Sequence, residues 1–193
     1  MSMISAPTLD AAPLQTPSRV LLRTDEVGPY LATARQFLRS STPEAVLSVT
    51  PFLKREYDQL TYNGLAYNVM GDRMRELQVF QQCANLPDLD PAPQTQAIAN
   101  FADTVMLLGR PEVAVDLIRR ATTTVYPWLP SAWLTLFQAI QQRGERMARI
   151  ELKTELARVK LVWPGWFDHP QMRDDIMNHA DHELLRNLLT EGV

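Results

Sequence analysis

The side chains best suited to chemistry gather near the C-terminus, where His169, His179 and His182 lie among Asp168, Asp174, Asp175 and Asp181. Imidazole and carboxylate together could hold a transition metal or run acid–base catalysis. Neither has the spacing that such work needs. No H-E-x-x-H or comparable zinc pattern occurs, and His179 and His182 share a helical face only if Asn178 to His182 continues as helix. The ordinary reading of this stretch is an acidic, solvated tail. The single cysteine, Cys83, has no second thiol with which to form a disulfide or a metal cluster. No phosphate-cradling glycine loop and no nucleophile elbow is present. The residues therefore predict a protein without a catalytic centre, a metal or a cofactor.

A second concentration of chemistry is cationic. Between Arg143 and Lys160 stand Arg143, Arg146, Arg149, Lys153, Arg158 and Lys160, against Glu145, Glu151 and Glu155. Such a helix could meet an acidic partner or RNA, but Glu145 and Arg149 at i,i+4 spacing read as a solvated, internally paired face. The whole chain argues the same way. Its 19 Lys+Arg against 22 Asp+Glu leave a net charge of -3, so no overall field draws in a phosphate backbone.

The elements that must carry these residues are helical. A chain of 193 residues with 46% hydrophobic and 21% charged residues suits one globular domain with a sizeable core. Residues 1–24, with Pro7, Pro13 and Pro17 among Ala, Ser and Thr, lack periodicity and apolar surface and are predicted to be a mobile tail before a domain over 25–193. Met1 to Ala12 holds no apolar run of a secretory signal, and no stretch approaches the roughly 18 apolar residues of a membrane span. The expected address is the cytoplasm, with no membrane insertion. From about Val27 onward apolar residues recur at helical spacing and no run alternates like a strand.

The helix ends are written in proline and glycine. Thr42-Pro43-Glu44 reads as an N-cap, a proline at the first helical position and an acid favoured by the helix dipole. Gly109-Arg110-Pro111 ends one helix and opens the next, and Gly71 and Gly144 mark matching breaks. Gly71 and Gly109 lie 38 positions apart, and Gly109 and Gly144 lie 35 apart. A period near 34 is that of helical-hairpin repeats.

Around these glycines the neighbours resemble the tetratricopeptide pattern W-x2-L-G-x2-Y…A-x3-F…P. The middle unit carries Ile98, Phe101, Ala102 and Val105, then Gly109, then Ala114-x3-Ile118-x2-Ala121 and Pro127. The unit before it has Leu60, Gly64, Tyr67, Gly71, Phe80 and Cys83, with Glu76 where the family prefers a small residue. The unit after it opens with Trp133-x2-Leu136 and Ile140, and departs from the pattern at Arg149 and Lys153. A weaker hairpin runs from Tyr30 to Phe52, bent at Pro51, and Trp163-Pro164-Gly165-Trp166 breaks the chain before a capping segment from Glu183 to Leu189. The resemblance implies an all-α, right-handed α-solenoid of three to four hairpins, about 27–56, 57–90, 95–128 and 130–162, with a cap over 163–193. Gly64, Ala102, Ala114 and Ala121 would be its points of close helix approach.

In that family the first helix of each unit lines a concave groove that receives a peptide or partner helix. The resemblance places Thr61, Leu65 and Asn68, then Ala99, Asp103 and Met106, then Leu134, Gln138 and Gln141 in the groove. These nine positions include no Lys or Arg, so the cationic clamp that grips a C-terminal carboxylate is missing. The implied role is an adaptor, assembly factor or chaperone that holds another protein or peptide by apolar anchors flanked by amides, with no nucleic acid. A second copy of the chain, as a homo-oligomer, is the other polypeptide that could cover the groove. Size and acidity are similar to the type III secretion chaperones, and a helical-repeat RNA binder is the contrasting alternative.

Overall fold

Six of the helices open on a proline at their first position, where the missing N–H costs no hydrogen bond. The computed structural model describes residues 29–179 and 182–191. The predicted tail over residues 1–24 lies outside the described residues. Within them every regular element is helical and there is no strand. The order is α1 (Pro29–Arg39), α2 (Pro43–Val49), α3 (Glu56–Met70), α4 (Arg73–Ala84), α5 (Pro91–Leu107), α6 (Pro111–Arg120), α7 (Pro130–Gln141), α8 (Glu145–Val162), α9 (Pro170–Asn178) and α10 (Glu183–Thr190). Thr42 precedes Pro43 as expected, but its hydroxyl bonds back to the carbonyl of Phe37 and does not cap α2. Pro51 lies in a short 3-10 turn, Thr50–Phe52, that ends the second helix.

The turn after α3 requires glycine. Gly71 has φ 73°, in the left-handed region, and the N–H of Asp72 reaches back to the carbonyl of Tyr67 at 3.0 Å, which closes the helix end. Asp72 then caps α4 by accepting from the N–H of Arg75 at 3.1 Å. Gly109 repeats the device with φ 78°.

Each helix from α1 to α8 packs against the next, and α5 also packs on α7. α7 is apolar nearly all round and is buried by α5, α6, α8 and α9. Its Trp133 and Phe137, fully buried, continue into an aromatic file with Trp166 and Phe167, with ring centroids 5.3 to 6.1 Å apart. A smaller cluster, built on Leu31, Ala34, Val46, Tyr62 and Ala66, holds α1 to α3, and Arg35 Nε donates to the Tyr62 hydroxyl at 2.9 Å.

Between the two clusters the layer of α3, α4 and α5 is tied by a buried carboxylate. Glu76 is 1% exposed and accepts from Asn68 Nδ2 on α3 and Thr104 Oγ1 on α5, both at 2.8 Å, and from Arg73 Nη1 at 2.6 Å. A buried charge persists only with such partners. Glu76 meets that requirement with three donors from three helices. Glu155 on α8 plays the same part, accepting from Arg119 Nε on α6 at 2.8 Å and Arg158 Nε at 2.6 Å. Arg158 also lies 4.4 Å from the centre of the Trp133 ring.

The C-terminal part corrects the sequence reading. It is not a solvated acidic tail, because α9 folds back onto α7 and His182 is 1% exposed. α9 ends at Asn178, and His179 is extended at φ -91°, ψ 133°, so His179 and His182 do not share one helix. Arg149 pairs with Glu191 beyond α10 at 2.6 Å, in place of the expected Glu145. Asp181 lies outside the described residues.

Gly64 faces the buried Phe80 with no room for a side chain, since a Cβ added there would stand inside the van der Waals contact of three ring atoms. In an open helix Gly→Ala gains about 1 kcal/mol. Here Gly64→Ala is expected to lose about 1–3 kcal/mol through overpacking, a fall in Tm of roughly 2–4 °C per kcal/mol. A Tm at or above that of the parent protein would remove Phe80 from this contact.

Candidate functional site

Two stripes of side chains, one on α5 and one on α7, open on the same cavity of about 320 Å3. On α5 they are Gln96, Ala99, Asn100 and Asp103, and on α7 they are Ser131, Leu134, Thr135 and Gln138. Both follow i, i+3, i+4, i+7, the spacing of one helix face. Each member of the second stripe stands 35 positions after its counterpart in the first. α9 supplies a third wall through Gln171 and Asp175, with His179 and His182 beyond its end. Arg186 on α10 fixes that wall by donating to the carbonyls of Ile176 at 2.7 Å and His179 at 2.6 Å.

Of the nine positions expected in a groove, Ala99, Asp103, Leu134 and Gln138 come together on this cavity. Gln141 is one step away, its Nε2 3.3 Å from His182 Nδ1. Thr61, Leu65 and Asn68 lie apart from it on α3, where Thr61 Oγ1 meets Cys83 Sγ at 3.6 Å and Asn68 bonds Glu76. Met106 and Leu134 are only 5% and 6% exposed and belong to the large core. They support the chain's own packing, and most of the other side chains that line the cavity are polar. Gln96, Asn100, Ser131 and Thr135 were missed, although the i, i+3, i+4, i+7 spacing of α5 and α7 carried the signal. Asp175, His179 and His182 belong to the C-terminal His/Asp group singled out in the sequence, and they line this cavity without forming a metal or acid–base cluster, while Gln171 carried no signal.

The cavity's polar groups divide into those already engaged and those left over. Ser131 Oγ donates to Gln96 Oε1 at 2.7 Å, and Gln96 Nε2 donates to Asn100 Oδ1 at 2.8 Å. A hydroxyl bonded to an amide carbonyl has no base to take its proton, so Ser131 is not an activated nucleophile. Asp175 Oδ1 and His179 Nε2 stand 3.6 Å apart, too far for a hydrogen bond. Among the described residues no three His, Cys, Asp or Glu side chains are placed to share a metal ion. Cys83 is remote and buried, and burial pushes its thiol above the ordinary value.

Asp103 is the exception to good pairing. It is half-buried, and among the described residues its carboxylate accepts no hydrogen bond and joins no ion pair. Burial raises its proton affinity, and the charge of Glu76 raises it further against the opposing pull of Arg73. The side-chain amides of Gln138 and Gln171 are likewise unbonded among the described residues. The arrangement can bind, through one carboxylate and several amides, a group that brings its own donors.

Compared with protein-family models, with curated proteins and with solved structures, the chain matches none of them. Among the described residues no helix is long and apolar enough to cross a membrane.

The raised value of Asp103 sets a pH test. The folded state holds this proton more tightly than the unfolded chain, whose group has the ordinary value of 3.8. Its contribution to stability is therefore full below that value and is lost as pH rises through the folded value, so ionised Asp103 destabilises the fold at neutral pH. Asp103→Asn is expected to melt above the parent protein at pH 7, with the gap narrowing toward about pH 4. Thermal melts that show no gain at pH 7 would mean that the carboxylate has a compensating partner.

Proposed function

We propose that this chain is a non-catalytic binding protein of tetratricopeptide-like hairpins, and that its α5–α7 face receives a segment of another polypeptide. One observation carries the reading: two helix stripes of identical spacing, 35 positions apart, open on one cavity whose Asp103 and Gln138 have unused bonding capacity. Repetition at that interval is what a hairpin repeat produces. Amide side chains that both donate and accept match the peptide group, which does the same.

The role is that of an adaptor, assembly factor or chaperone in the cytoplasm. Size and acidity alone favour the type III secretion chaperone as a particular case. RNA fits less well. No Lys or Arg lines the cavity, and Arg143 before α8 and Arg149 and Arg158 on it are engaged with Glu151, Glu191 and Glu155 at 2.9, 2.6 and 2.6 Å.

A photoreactive residue placed at Gln138 in the full chain, in the source cell, is expected to form an adduct with another protein. The same residue at the exposed Lys153 on α8 is expected to form none. Adducts to RNA at Lys153, or to a second copy of the chain alone at Gln138, would replace this reading. Absence of any protein adduct at Gln138 would reject it.

A further inference from the structure

We infer that the cavity between α5, α7 and α9 recognises a single cationic side chain, a lysine or arginine of the partner. The inference rests on the binding role proposed for the same cavity and adds the chemistry of its occupant.

The argument begins with charge. Asp103 and Asp175 face the cavity from α5 and α9, and no Lys or Arg lines it; of its two histidines, His179 stands 3.6 Å from Asp175 and His182 meets Gln141, so neither serves Asp103. The cation whose charge acts on Asp103, Arg73, is already committed to Glu76 at 2.6 Å. Asp103 thus sits half-buried with a second carboxylate behind it and no bonded partner among the described residues. An incoming ammonium or guanidinium would supply both the missing charge and the missing donors, and charge-assisted hydrogen bonds are the strong ones. An anion would meet the opposite conditions.

Size and shape narrow the group further. About 320 Å3 is at the small end of binding cavities, enough for one long side chain and too little for a helix. Ala99 and Leu134, held by the core, show the cavity only narrow apolar edges on which a methylene stem can rest, while the amides of Gln138 and Gln171 offer carbonyl acceptors at its end. A lysine or arginine has this division between stem and head. A bare metal ion does not, and no three ligating side chains converge among the described residues.

The test titrates the full chain with acetyl-Ala-Ala-Arg-Ala-Ala-amide, its lysine and norleucine counterparts, and agmatine as a free cation, following backbone amide shifts by NMR. The arginine or lysine peptide is expected to saturate with shifts at Asn100, Asp103 and Gln138, and to bind at least about tenfold more tightly than the norleucine peptide. Asp103→Asn is expected to fold and to weaken that binding by at least about tenfold. Agmatine binding as tightly as the arginine peptide would assign the site to a free amine and overturn the partner-borne form. Norleucine binding equally well, or unchanged affinity in the folded Asp103→Asn variant, would overturn cation recognition itself. In that event a protein adduct at Gln138 would still stand, so the broader binding role and this inference fail separately.

Discussion

The carboxylate of Glu76, nearly sealed from solvent, is the constraint from which the rest of the molecule follows. A charge in that position is tolerable only if several donors converge on it. Asn68, Thr104 and Arg73 do so from α3, α5 and α4. Three helices are thereby held in one register at the seam between the two apolar clusters, where hydrophobic packing alone is directionless. The Gly64–Phe80 contact lies in the same seam and lets the backbones of α3 and α4 come close enough for those bonds to form. The two features are coupled: spreading the helices at Gly64 would lengthen the hydrogen bonds to Glu76.

This seam also sets the electrostatics of the cavity. Thr104, which satisfies Glu76, is the next residue along α5 from Asp103, so the helix turn that solves one burial problem delivers a second carboxylate beside it. Arg73 can neutralise only one of them closely. Glu76 takes it at 2.6 Å, and Asp103 is left with a raised proton affinity. On the other side, Glu155 draws α6 and α8 together through Arg119 and Arg158 and so encloses α7. Three of the four polar residues on that buried helix, Ser131, Thr135 and Gln138, open on the cavity, and the fourth, Gln141, meets His182 at its edge.

Much of the helical order was legible because it depends on local chemistry. Prolines at first positions and glycines at ends mark α2, α5, α6 and α7, and the small residues Gly64, Ala102, Ala114 and Ala121 are all buried. Of the nine positions that the resemblance implied, Ala99, Asp103, Leu134 and Gln138 line the cavity. The remainder depends on which face of a helix its neighbours cover. Spacing puts Met106 and Leu134 on the same stripes as Asp103 and Gln138, but it cannot show that the core claims the two apolar side chains. The third wall was legible only as a group of His and Asp residues, and its place beside α5 and α7 was not. Gln171 and Asp175 belong to a segment outside the periodic pattern, and its return to α7 depends on Trp166, Met172 and Ile176, whose apolar faces become informative only once packed.

The imbalance at Asp103 is the observation on which the proposed binding role leans most. Where Glu76 and Glu155 each gather their donors, Asp103 has none among the described residues, and burial beside Glu76 raises its proton affinity. Gln138 and Gln171, with their unbonded amides, add polar capacity that the fold itself does not use. Natural sequences place such local inconsistencies where binding requires them, because a site whose polar groups are already satisfied has little left to offer a partner. A cavity of this kind discriminates through its unmet bonds: an occupant that lacks a cation leaves Asp103 both dehydrated and unpaired, and one that carries it removes both penalties at once.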